Sequence, residues 1–183
     1  MNNFKANIMN QFQISEIEAD QIVYLIQIIF IDLSKAALIM IPFLFTGYLI
    51  EYFSILGLTL VLKSQAGSFH FKNYWLCFTF TSLYFISILL LMKLSIYKTT
   101  LLGLGSIAII IIGILSPMLS EQKKKIKRLN IKALKIRALA ISLLYVIFFF
   151  IKNNPFTYSA IWVVIIQSSL LLIQKGVSHV PKR

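Results

Sequence analysis

The chain has 183 residues, of which 58% are hydrophobic and 13% charged, and a formal net charge of +12. With a mean hydropathy of +0.83, this balance excludes a soluble domain and predicts an all-α, polytopic integral membrane bundle, because hydrocarbon admits only structures that pair their own backbone groups. A single cysteine excludes an intramolecular disulfide framework and a thiol-rich metal centre, and no cofactor or metal site is expected.

Residues 1–20 lack the basic cap, short apolar core and small-residue cleavage site of a secretory signal. Phe4, Ile8 and Phe12 recur at four-residue spacing among Asn and Gln, which predicts an amphipathic helix in the membrane interface; a frayed polar terminus is the plainer reading. Ser15 and Glu18 form a capping-box pattern, and Glu16, Glu18 and Asp20 place acid in the first turns, so a helix is expected to begin near Glu16. Apolar runs follow at 21–33, 36–50, 52–62, 75–92, 99–117, 138–151 and 157–174. The last four read as ordinary spans. Asp32, Lys35, Pro42 and Glu51 interrupt the stretch 21–62, which we read as two crossings with kinks or short helices. The expected total is about six transmembrane segments in a single domain, 1–183, with no separate soluble part. Asp32 and Glu51 are intramembrane-type acids, each either a functional group or simply paired with a base such as Lys35 or marking a helix end.

Eight of the eighteen basic residues fall between 121 and 137, namely Lys123, Lys124, Lys125, Lys127, Arg128, Lys132, Lys135 and Arg137, with only Glu121 opposing them. Short basic loops stay in the cytoplasm. Counting crossings from this loop places the polar break at 63–77, and the tail carrying Lys175, Lys182 and Arg183, on the same face. The positive charge therefore mostly reports topology and contact with anionic lipid. The sharper reading is that the 121–137 loop also receives an acidic partner segment; nucleic acid is not an expected partner.

Chemistry is concentrated in that polar break, Lys63-Ser-Gln-Ala-Gly-Ser-Phe-His70-Phe-Lys-Asn-Tyr-Trp-Leu-Cys77. On one unbroken helix, seven residues would leave His70 and Cys77 about 10 Å apart along the axis, too far for proton transfer. A bend brings them together if Asn73 caps a helix starting at Tyr74, with Cys77 in its first turn and His70 on the preceding loop. A helix N-terminus and a neighbouring imidazolium both favour the thiolate, which attacks carbonyls, while backbone N–H groups at that helix start are expected to hold a developing oxyanion. The plain alternative is a small buried hydrophobe and an unremarkable loop histidine. Gln65, Ser68 and Asn73 are all able to orient His70, and the sequence does not choose among them.

The segment Lys63 to Cys77, with Gly67 three residues before His70 and Cys77 seven after it, resembles the active-site signature of the accessory gene regulator B family of membrane cysteine endopeptidases. The layout is similar as well, with a lysine-rich loop roughly fifty residues further on. Lys63 and Ser68 stand where family members commonly carry Arg and a second Gly, and Phe71 stands where a small residue is frequent. The resemblance implies a multi-pass protein of a Gram-positive cell membrane, with its site facing the cytoplasm. It would process an accessory gene regulator D-type quorum-sensing propeptide, usually as a homodimer. Cys77 would be the nucleophile, His70 the general base and acid, and a thioester acyl-enzyme would precede cyclisation to a thiolactone or lactone. Lys63, Gly67 and Ser68 would serve substrate binding, Lys123, Lys124 and Lys125 would attract the acidic tail, and the 1–20 segment would dock the apolar face. Phe69, Phe71, Tyr74, Trp75 and Phe78 would help exclude water, although interfacial anchoring is the plainer role for Tyr74 and Trp75. A small peptide transporter and a non-enzymatic membrane scaffold are the alternatives; neither a nucleotide-binding motif nor an inverted repeat is present.

Overall fold

The computed structural model describes residues 9, 11–13, 15–67, 74–94, 96–118, 130–152 and 154–178. Among them are six long helices: α1 (Glu16–Thr46), α2 (Leu49–Ala66), α3 (Tyr74–Met92), α4 (Lys98–Leu115), α5 (Ile131–Ile151) and α6 (Pro155–Ser178). Each contains a stretch of at least 18 residues apolar enough to cross a bilayer. At 1.5 Å per residue, 18 residues reach about 27 Å, close to the thickness of the hydrocarbon. The protein is a polytopic helical membrane bundle, and large apolar side chains such as Phe45, Ile50, Ile114 and Phe150 stand exposed along its helices, as a lipid solvent permits.

The chain divides into two units, 1–47 and 48–183. In the first, α1 begins as its sequence requires. The Ser15 hydroxyl accepts from the Glu18 N–H at 3.4 Å, and the Ser15 N–H donates to the Glu18 carboxylate at 3.0 Å, closing the capping box. The helix continues through the expected break at 34–35, because Lys35 donates to Asp32 at 3.3 Å one turn back and the two charges satisfy each other. It also carries Pro42 internally and stops at Gly47, whose φ of 77° makes a left-handed C-cap. The two crossings expected in 21–62 are present, but the boundary lies at Gly47 and Tyr48, not at Glu51, which sits in the first turn of α2. Most of the expected interfacial helix 1–20 lies outside the described residues.

In the second unit, α6 is the hub. It packs against α2, α3, α4 and α5, while α5 also touches α2 and α4. Over half of the α6 span is buried (56%), against a third or less of α2 to α5. Small residues permit the closest approach: a Cβ on Gly105 of α4 would collide with Ile161 of α6 and come within 3.3 Å of Val146 of α5. Polar ties within the layers include Thr59 to Tyr84 at 3.2 Å and the Tyr145 hydroxyl donating to the Leu58 carbonyl at 3.2 Å. Two helices start earlier than hydropathy predicts. Asn130 accepts from the Ala133 N–H at 3.0 Å and begins α5 inside the basic segment, so Lys132, Lys135 and Arg137 lie on helix rather than loop. Pro155 opens α6, with Asn154 and Thr157 exchanging backbone-to-side-chain bonds at 2.9 and 3.2 Å.

Candidate active site

Chain direction sorts the connections of the second unit into two ends. Gly67, Tyr74, Met118 and Asn130 belong to one end; Tyr48, Met92, Lys98 and Pro155 belong to the other. Cys77 completes the first turn of α3 at the former end, as the sequence predicts. It is buried at 6% exposure and belongs to one inward stripe of the helix with Tyr84, Phe85 and Ile88. Its thiol is not in a disulfide. Trp75 and Leu76 on the same turn are exposed at 69% and 53%. Tyr74, Trp75 and Phe78 form a cluster with ring centroids 5.6 to 6.5 Å apart. Trp75 therefore faces outward, as an interfacial anchor does, while the sulfur faces in.

Of the other candidate residues, Lys63 and Gly67 are described. The Lys63 ammonium lies 4.6 Å from the centre of the Tyr84 ring, two turns along α3 from Cys77. Gly67 caps α2 through its N–H to the Lys63 carbonyl at 3.1 Å, with φ of 96°. His70, Ser68, Asn73, Phe69, Phe71 and the triplet Lys123, Lys124 and Lys125 lie outside the described residues. Gln65, a candidate to orient His70, donates to Ser64 at 2.9 Å and leaves its side-chain oxygen buried without a partner.

The geometry adds a junction that the sequence does not reveal. Gly67 pairs with Met118 as an isolated parallel bridge, and the Met118 N–H donates to the Ala66 carbonyl at 3.0 Å. The end of α2 and the residues just after α4 therefore meet backbone to backbone. Gln167 of α6 donates its amide to the Gly67 carbonyl at 3.0 Å, across 100 positions of sequence. A polar residue in the α6 run is the sole sequence signal for this contact.

At the opposite end, a cavity of about 300 Å³ is lined by Tyr48, Glu51, Met92, Lys93 and Pro155 among others. Glu51, one of the two acids singled out by the sequence, opens onto it. The other, Asp32, is taken up by its ion pair with Lys35. No group of three or more His, Cys, Asp or Glu side chains among the described residues is arranged to hold a metal ion.

A buried thiol on the first turn of a helix is suited to nucleophilic acyl transfer. The family model described as accessory gene regulator B matches residues 1–171. No curated protein and no solved structure matches the chain.

Proposed function

Because the chain belongs to the accessory gene regulator B family, and so to the membrane machinery that processes an accessory gene regulator D-type propeptide into an autoinducer, we propose that it acts as a cysteine endopeptidase and acyl transferase. Cys77 is the nucleophile and His70 its proton carrier. The thiolate attacks the peptide carbonyl preceding the propeptide's acidic tail. The tetrahedral intermediate collapses with cleavage of the C–N bond, His70 delivers a proton to the departing amine, and a thioester to Cys77 remains. A thiol or hydroxyl within the bound peptide then attacks that thioester, closes a thiolactone or lactone ring and returns the proton and the free Cys77 thiol.

The observation that carries this reading is the placement of Cys77, inward-facing on the first turn of α3. The positive end of the α3 dipole lies close to the sulfur and suits a developing oxyanion. Burial of the sulfur keeps water from the thioester, so ring closure competes well with hydrolysis. The proposal extends to a cytoplasmic site in a Gram-positive membrane, to lysine-rich capture of the acidic tail, and to a homodimer. Lys63, Gly67 and Ser68 complete the peptide-binding segment, and residues 1–20 receive the apolar face of the propeptide.

The test is intact-mass analysis of purified protein with a propeptide whose ring-forming residue is changed to Ala, so that the thioester cannot resolve. Wild type should gain a thiol-labile adduct of the peptide's mass, and Cys77→Ala should not. Binding of the peptide without any adduct would sink the peptidase reading and favour a transporter or a scaffold.

A further inference from the structure

We propose that Gln167 is a positioning residue, which through its bond to the Gly67 carbonyl fixes where the His70-bearing segment leaves the bundle relative to Cys77. This inference rests on the peptidase reading above.

Gln167 is 2% exposed, and its side-chain oxygen is buried with no hydrogen-bond partner. Its amide orientation is not ambiguous, since the reverse arrangement would set two oxygens against each other at the Gly67 carbonyl, 3.0 Å away. A buried amide that makes one bond and orphans its other end contributes little net stability: the bond returns about 1 kcal/mol and the orphaned acceptor costs about 1–3 kcal/mol. A leucine would fill the same volume without an orphaned amide oxygen, but it would leave the buried Gly67 carbonyl without this donor. The glutamine therefore serves the Gly67 peptide unit specifically, by giving its carbonyl a directional donor.

The unit it controls is suited to that role. A Cβ on Gly67 would collide with the Met118 carbonyl, and φ of 96° is a conformation that other residues seldom adopt. The backbones of Gly67 and Met118 are thus in direct contact, and Gln167 pins the pair to the hub helix. Three of the four buried polar atoms that lack partners among the described residues flank this junction: the Gln65 and Gln167 side-chain oxygens and the Ser116 hydroxyl, two residues before Met118. Unpaired groups gathered in this way mark a region organised for purposes other than stability. The junction is also recessed. Gln167 precedes Ser178, the end of α6, by roughly 16 Å of helix. On the peptidase reading, a misplacement of about 1 Å at the root of the segment that carries His70 costs of the order of 100-fold in turnover.

The experiment compares full-length wild type, Gln167→Met, which keeps the shape without the donor, and Gly67→Ala, which disturbs the same contact from the other side. Steady-state processing of an accessory gene regulator D-type propeptide is measured with amide exchange at Met118 and thermal melting. Both variants should lose turnover by roughly 10- to 100-fold, with KM little changed in Gln167→Met, and Met118 should exchange faster in both. Wild-type kcat in Gln167→Met overturns the proposal. A lower melting temperature with kcat retained assigns Gln167 to interhelical packing and also overturns it. If Gln167→Met does not fold, unchanged kcat in Gly67→Ala overturns it instead. A wild-type protein that binds propeptide without cleaving it refutes the peptidase reading, while Met118 exchange still reports on the clamp.

Discussion

Cys77 meets two requirements that usually conflict in an apolar helix: its sulfur is buried, and it lies on the first turn of α3, at the positive end of the helix dipole. Burial alone would describe a packing residue, and a helix start alone would leave the thioester open to water. On this basis His70→Ala should slow propeptide cleavage by about 10²- to 10⁴-fold, the range for losing a general base, while peptide binding persists. Product formation followed by mass spectrometry, with binding measured separately, checks both halves. The placement of Cys77 on the first turn of a helix was legible in the sequence, because a helix was expected to start at Tyr74. Gln167 was not: one polar residue in an apolar run carries no information about a partner 100 positions away.

Helix boundaries show which signals outweigh hydropathy. The break expected around Asp32 and Lys35 is absent because opposite charges three residues apart neutralise each other on one face. The break that does occur follows from Gly47, which supplies the left-handed cap that few other residues adopt. Capping chemistry likewise starts α5 at Ile131, seven residues before its apolar run. Ser15→Ala should cost about 1 kcal/mol of local helix stability, read as faster amide exchange over 16–19 with the rest of α1 unchanged. Packing between elements makes a second prediction. Gly105→Leu forces α4 from α6 and should destabilise the bundle by about 1–3 kcal/mol. Gly103→Leu, two residues away where an added Cβ meets nothing within 4 Å, should be close to neutral. Thermal melting of the two variants in one detergent gives the comparison.

The whole molecule combines a legible architecture with an orientation that rests on charge. Six spans follow from the apolar runs because lipid solvation writes itself into composition, whereas the central position of α6 had no counterpart in hydropathy, since lipid-facing and helix-facing positions are equally apolar. The proposed direction across the membrane rests on the eight basic residues of 121–137, which by the positive-inside rule would put that segment, Cys77 and the carboxy-terminal end of α6 inside. In the Cys77→Ser background, which has no other thiol, Lys152→Cys should react with a membrane-impermeant maleimide on intact cells, and Lys127→Cys only after permeabilisation. The reverse pattern would put the peptidase site outside and remove the case for an intracellular propeptide. The same charges give the last expectation. Replacing Lys123, Lys124 and Lys125 with Gln should weaken propeptide binding about fivefold at low salt, near 1 kcal/mol for exposed pairs, and hardly at all at 1 M salt, where screening acts within about 3 Å. A loss that persisted at high salt would instead mean that those lysines shape the entrance to the site, since direct contacts survive where long-range attraction does not.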